Sequence, residues 1–383
     1  VNEFGKVVLV GDNVPRFDYG YEYVNANSSK FSKGEIKGLL IEEERTNLVG
    51  YSIYNGDKSG TAQTSSGNIG NWSLTLGNAT FTGGIDAPDG SNDAVRFTHL
   101  NTGFALFRIP IPAFTANGSD TYTLSFYARG VSGTGNITCD LNDNQPSLGS
   151  WNQNMITNEW VRIVVTNVPS SGSKSFIDIM SNSNNNRVFD IWGVQLEKGK
   201  FATSFIPTRD GATATRGNES FEIDGEDFTD FFNATESTVL SHITPLDNSL
   251  GNHSGTGGVL WSFDSGAGFG NGNYISNTAG GTSFAHNVLV GSSGQNTGGG
   301  TGNQTNRVPF KNATVFKKDD FIMATNGTLA AADTSGNLPT VAKLVLGNNG
   351  WSSAPLNAAN VHFNRFVYYP KRLPDSQLVT LTS

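Results

Sequence analysis

The 383-residue chain has a single cysteine, Cys139, so no disulfide can form within it, and packing and hydrogen bonds must hold the fold. In the run Asn136-Ile137-Thr138-Cys139-Asp140-Leu141 the thiol reads as a small core side chain. Charge is scarce as well, at 15% of residues with a net charge of −8, and Lys and Arg are dispersed, which argues against a nucleic-acid partner. No apolar run reaches the length of a membrane helix, so no membrane insertion is expected. The five histidines (His99, His242, His253, His286, His362) lack metal-ligand spacing and no Gly-X-Ser-X-Gly elbow occurs, leaving zinc and serine chemistry without support and no cofactor expected. Sustained heptads, a signal peptide and an initiating Met are all missing, so the chain reads as part of a longer protein.

What is abundant points one way. Glycine occurs 46 times, and Asn, Gly, Ser and Thr crowd between short runs of Val, Ile, Phe and Thr, an all-β composition with many turns. The length favours two cores. Residues 1–50 read as N-terminal lead-in strands, with Lys6–Val10 and Lys37–Glu42 as strand candidates. Residues 51–207 carry strand runs at sandwich spacing, and Tyr122–Ala128 alternates strictly, with Tyr122, Leu124, Phe126 and Ala128 on one face and Thr123, Ser125 and Tyr127 on the other. A two-sheet jelly roll accommodates them. Residues 208–220 lack an apolar period and read as an exposed linker, and 221–383 as a second β-sandwich. The Gly-rich stretch 251–306 reads as long sandwich loops, the part of a β-scaffold where recognition surfaces are commonly built.

Two phrases lie about one domain apart. The first is Asn13-Val14-Pro15-Arg16-Phe17-Asp18-Tyr19 followed by Gly38-Leu39-Leu40-Ile41-Glu42-Glu43-Glu44-Arg45-Thr46-Asn47-Leu48. The second is Ile191-Trp192-Gly193-Val194-Gln195-Leu196-Glu197-Lys198-Gly199 followed by Thr203-Ser204-Phe205-Ile206-Pro207-Thr208. In this order and spacing they resemble tail-fibre and capsid-fibre proteins of bacteriophages. The closing segment, a strand at Val361–Tyr369 followed by Pro and a short helical turn, resembles the end of concanavalin-A-like (laminin-G-like) sandwiches appended to such fibres. The resemblance implies two tandem β-sandwiches, jelly roll then concanavalin-A-like, in a virion protein made in the bacterial host cytoplasm. It also implies other virion proteins as partners, a homotrimer, and recognition of host surface polysaccharide without turnover. In that homotrimer residues 1–50 are expected to lie against the jelly roll at the subunit interface.

Sugar recognition needs aromatic platforms and amides in shallow, loop-lined sites. Trp72, Trp151 with Asn152, and Trp351 are flanked by turn residues and amides and are the ligand-binding candidates, whereas Trp160, Trp192 and Trp261 read as core. Asp140, Asn142 and Asp143 read as a solvated acidic turn rather than a calcium ladder. The alternative function, a laminarinase-type glycosidase with an attached binding module, rests on Glu222-Ile223-Asp224-Gly225-Glu226, which resembles the Glu-X-Asp-X-Glu strand of such glucanases. Period-two alternation would aim Glu222, Asp224 and Glu226 into one cleft, with Glu222 as nucleophile and Glu226 as acid/base, but Gly225 reads as a turn that breaks the alternation.

Overall fold

The computed structural model describes residues 6–11, 13–19, 35–63, 67–74, 79–100, 104–133, 136–141, 149–152, 159–182, 187–246, 258–266, 270–277, 284–299, 307–348 and 359–383. The chain forms two compact units, one from residues 6–9 and 45–216 and the other from 10–19, 35–44 and 217–383. Both are antiparallel β-sandwiches.

In the first unit a six-stranded sheet runs Gly149–Asn152, Asn136–Asp140, Gly172–Asn182, Phe104–Ala116, Trp72–Leu74, Gly67–Ile69. A five-stranded sheet runs Val161–Asn167, Tyr122–Ser132, Val188–Lys198, Ala94–His99, Ala79–Ile85. Their inward rows make one aromatic-rich core that includes Phe81, Phe97, Phe107, Phe126 and Phe189. The alternation expected of Tyr122–Ala128 holds, since Leu124, Phe126 and Ala128 are fully buried in that core while Tyr127 faces the other side.

The second unit has a seven-stranded sheet in the order Phe17–Tyr19, Ile36–Ile41, Val361–Tyr369, Glu236–Pro245, Phe310–Lys317, Asp320–Thr325, Thr328–Leu329. Its six-stranded partner runs Phe221–Asp224, Lys343–Leu346, Val259–Asp264, Gly272–Asn277, Phe284–Val290, Ser293–Gly299. Trp261 and Phe263 centre its core. A closing helix, Asp375–Thr382, buries Leu378 on Leu240 and Val315 of the seven-stranded sheet.

Four expectations are corrected. The lead-in is not a separate element: residues 35–44 belong to the second unit, because Leu39, Leu40 and Ile41 pair with Phe363, His362 and Val361. At Gly38 (φ +113°) a Cβ would run into the backbone of Phe363, so glycine is required there. Lys6–Val10 is not a strand, although the Val7 N–H donates to Pro88 O. Nor is 208–220 a free linker. Thr208 is buried and bonds the Ser52 backbone, Ala214–Arg216 pairs with Arg45–Asn47, and Glu219 accepts from Arg16 and from the Glu42 N–H. The described parts of 251–306 are mostly strands rather than loops, because Ile275, Phe284 and Val288 supply a buried alternation and backbone pairing is indifferent to the Gly and Asn between them.

The residues of the two phrases act as buried latches. Asn47 donates to Ile206 O (2.8 Å) and accepts from the Val49 and Leu196 N–H groups, and Gln195 accepts from the Ile206 N–H at 2.7 Å. Glu197 accepts from the Thr203 N–H at 3.0 Å. In the second unit Arg16 bonds Glu42 at 2.8 Å, and Asp18 meets His362 at 2.9 Å. Burial works against the Asp18 carboxylate, yet the His362 hydrogen bond brings it down to about 2.

Candidate functional site

Strand pleating sends every second residue of the five-stranded sheet away from the core, and register aligns those residues into rows across strands. One such row is Thr82, Arg96, Asp190 and Arg129, one residue from each of four neighbouring strands. Trp160, immediately before the Val161–Asn167 strand, ends the row, with the Arg129 guanidinium 4.8 Å from its ring centre. In the next row Trp192 lies opposite Tyr127, and Tyr127 opposite Arg162, whose guanidinium sits 5.6 Å from the Tyr127 ring. Trp192 faces outward by the same alternation as Asp190, and the register shift follows it, between Trp192 and Gln195 at Gly193 (φ +66°), where a Cβ would press on Phe205 and Tyr127. Trp192 is packed there by Phe205, with ring centres 4.7 Å apart.

Asp190 is fully buried and fully occupied. Arg96 donates through Nε (2.7 Å) and Nη2 (3.1 Å), and Arg129 through Nε (3.0 Å) and Nη2 (2.8 Å). The hydrogen bond to Asp190 is the main reason the Arg96 guanidinium holds its proton even more tightly than usual. Both guanidiniums stay partly open to solvent, their side chains 34% and 25% exposed. Two guanidiniums, those of Arg96 and Arg129, thus share one carboxylate, and Arg162 in the adjoining row donates to Ser125 Oγ at 2.9 Å. Trp160 and Tyr127 are half-buried beside them. Chemically this is a shallow platform of aromatic faces and outward guanidinium edges, suited to stacking and to hydrogen-bond donation to oxygen-rich ligands.

The opposite sheet has a counterpart row: Asp140, Asp178, Arg108 and Ser73. There Asp178 accepts twice from Arg108, at 2.7 Å each, and Arg108 lies 3.4 Å over the Phe176 ring. Asp140 is 1% exposed, so it is no solvated acidic turn, and Asn142 and Asp143 lie outside the described residues.

The sequence candidates fare unevenly. Trp72 is a correction: it is 1% exposed, stacks on Phe107 at 6.0 Å and donates from Nε1 to Tyr51 O at 3.0 Å, so it is core rather than platform. Trp151 and Asn152 occupy the edge strand Gly149–Asn152, opposite Ile137 and Asn136 respectively. Trp351 lies outside the described residues. Trp261 is buried as expected, and Trp160, read as core, is half-buried at the end of the outer row, packed against the cluster of Ile53, Ala87, Ala94 and Trp192. Arg96, Arg129 and Asp190 were not singled out in the sequence, although each lies in an alternating strand run. The acidic phrase does not keep its alternation. The strand ends at Asp224, Gly225 opens the short helix Gly225–Thr229, and Glu222, Asp224 and Glu226 are all exposed, with Glu222 bonded to Lys343 at 3.3 Å.

In the second unit His286 is buried on the inward face. It donates from Nε2 to Asn273 Oδ1 (2.7 Å) and accepts at Nδ1 from Asn296 (3.0 Å), beside a small cavity lined by Phe321, Met323 and Ala330. Burial pushes the imidazole down to about 3, so it is neutral. Among the described residues no group of three or more His, Cys, Asp or Glu side chains is arranged to hold a metal ion.

No family model matches the sequence, and no curated protein matches it. Among solved structures, the heptameric SAP-like pentraxin of Limulus polyphemus is similar at 12% identity and TM-score 0.32, over 39% of this chain and 70% of that one. The CBM40 of a Ruminococcus gnavus IT-sialidase is similar at 14% identity and TM-score 0.33, over 39% and 84%. The tandem CBM22-1-CBM22-2 of Paenibacillus barcinonensis Xyn10C covers 82% of this chain and 99% of its own, at 10% identity and TM-score 0.26. Likenesses at this level say nothing about what this chain binds.

Proposed function

We propose that the chain is a structural and host-recognition component of a bacteriophage appendage, which binds cell-surface polysaccharide without turnover through the outer face of the five-stranded sheet. The observation that carries the binding role is the row of partly exposed Arg96, Arg129 and Trp160, held rigid by regular strands and the saturated buried carboxylate of Asp190. The resemblance of the two phrases to phage fibres supports the virion assignment. Shallow, weak sites suit a multivalent particle, where repetition supplies avidity. A homotrimer accords with that reading. Its contacts are assigned to the edge of the seven-stranded sheet, where Phe17 (53% exposed) and Ile36 (58%) present apolar surface beside an edge strand.

A panel of immobilised bacterial surface polysaccharides and algal glucans tests this, with reducing ends measured alongside binding. Retention on one or more envelope polysaccharides with no reducing ends is expected. Failure to bind any of them overturns the recognition role, and release of reducing ends overturns the non-catalytic one. Light scattering should give three times the chain mass, and a monomer would refute the trimer.

A further inference from the structure

We propose that the outer face of the five-stranded sheet selects acidic polysaccharides, those bearing a carboxylate on repeating sugars; this rests on the glycan-recognition reading above and names its ligand class. The two outer faces of the first sandwich differ in charge balance. On the six-stranded sheet Asp140 and Asp178 share the row with Arg108, and that guanidinium is spent on Asp178 and on the Phe176 ring. On the five-stranded sheet two guanidiniums, Arg96 and Arg129, share one carboxylate, Asp190. This local excess of positive charge stands in a chain whose net charge is −8, so general attraction of polyanions does not account for it.

Geometry fits the class. Arg96 and Arg129 each commit Nε and Nη2 to Asp190, which fixes the guanidinium planes and turns their remaining Nη1 edges away from that carboxylate. Desolvation is partial, so a ligand carboxylate meets preoriented donors without displacing a paired anion. Trp160 at one end and Tyr127 in the adjoining row supply faces for apolar sugar surfaces, and Thr82 at the other end supplies a hydroxyl. From Trp160 to Arg96 the row crosses three strand spacings, about 14 Å, enough for a short oligosaccharide. One acidic group borders the patch, Glu159, which is exposed beside Trp160.

Isothermal titration calorimetry with polygalacturonate, alginate, hyaluronate and polysialate, each beside its carboxyl-reduced form, tests the proposal. At least one acidic polymer should bind about tenfold more tightly than its reduced form, with affinity falling as salt rises. Arg96→Gln keeps Arg129 on Asp190, and Arg129→Gln keeps Arg96 on it. Both should weaken the acidic polymer about tenfold while leaving the melting curve within a few degrees, and Trp160→Ala should weaken both forms. Equal affinity for acidic and reduced forms overturns the ligand class but not glycan recognition. Binding of a neutral envelope polysaccharide with none of the four acidic polymers does the same. Acidic binding that both arginine variants leave unchanged overturns the site, and absence of binding to every saccharide removes the underlying reading as well.

Discussion

Two charged rows on opposite outer faces of one sandwich look alike in sequence and differ in what they leave available. In the row Asp140, Asp178, Arg108, Ser73 the single guanidinium is consumed by a bidentate carboxylate and an aromatic ring, and both acids are buried. In the row Thr82, Arg96, Asp190, Arg129, Trp160 the single carboxylate is consumed and the guanidiniums remain partly open. A buried ion pair is weak support for stability and says little about function. What distinguishes a recognition surface here is which partner is in excess and whether it reaches water.

The largest expected effect separates interior from exterior. Trp72 neighbours the end of the acidic row but points into the core, and Trp160 ends the basic row. Trp72→Ala should cost the first sandwich about 3–5 kcal/mol in urea unfolding, and half-buried Trp160→Ala less than about half of that. Comparable losses would erase the distinction between them.

Next, Asp190→Ala leaves two guanidiniums facing each other over a vacated buried site, whereas Asp178→Ala leaves Arg108 beside Asp140. The first should lose about 2–3 kcal/mol and the second less than half of that, discounted because the arginines are partly solvated. Equal losses would show that the charge balance of the rows is irrelevant to the fold.

A third test contrasts this charged surface with the neutral interior of the second sandwich. The folded-state pKa of His286 is depressed to about 3, so its contribution is fully present above the unfolded value of about 6.5 and is lost progressively as pH falls toward 3. Below pH 6.5 the second sandwich should lose up to about 1.4 kcal/mol per pH unit from this group. Asp18, brought down to about 2, stabilises above about pH 4 and adds to the loss only as pH falls from there toward 2. His286→Gln keeps one donor for Asn273 and one acceptor for Asn296, and should flatten the pH dependence between 6.5 and 4. An unchanged slope would contradict the buried neutral assignment.

The smallest effect concerns Cys139, fully buried beneath the acidic row, where burial pushes its thiol up to about 12. Iodoacetamide should label it only after unfolding. Labelling of the native protein at the rate of a free thiol would refute its place in the core.

Strand alternation made much of the fold legible. Tyr122–Ala128 forms the strand its pattern predicts, and the closing Val361–Tyr369 strand leads through Pro374 into a helix. Partner choice was not legible. Leu39, Leu40 and Ile41 read as a strand, but nothing local says that they pair with residues more than three hundred positions away. The same limit hid the site, since Arg96 and Arg129 meet Asp190 across 94 and 61 residues and only register brings them together. Trp72 misled because Gly70 and Asn71 resemble a loop; they form a two-residue turn between the paired Ile69 and Trp72, and the indole goes straight into the core. Trp160 is core only in part, packed against Trp192 and Ile53 on the outer side of the sheet, because a tryptophan opening a strand can face either way. The two phrases were conspicuous, but Asn47, Gln195 and Glu197 within them serve packing and hydrogen bonding rather than the outer surface.

The account's central claim is that recognition lies on the outer face of the five-stranded sheet and not at the tryptophans that the sequence nominated. Oxidative footprinting of the six tryptophans, with and without a saturating bound polysaccharide, tests it most directly. Trp72, Trp192 and Trp261 should be unreactive throughout, and Trp160 should be reactive alone and protected in the complex. Protection of Trp151 or Trp351 with Trp160 unchanged would contradict the claim.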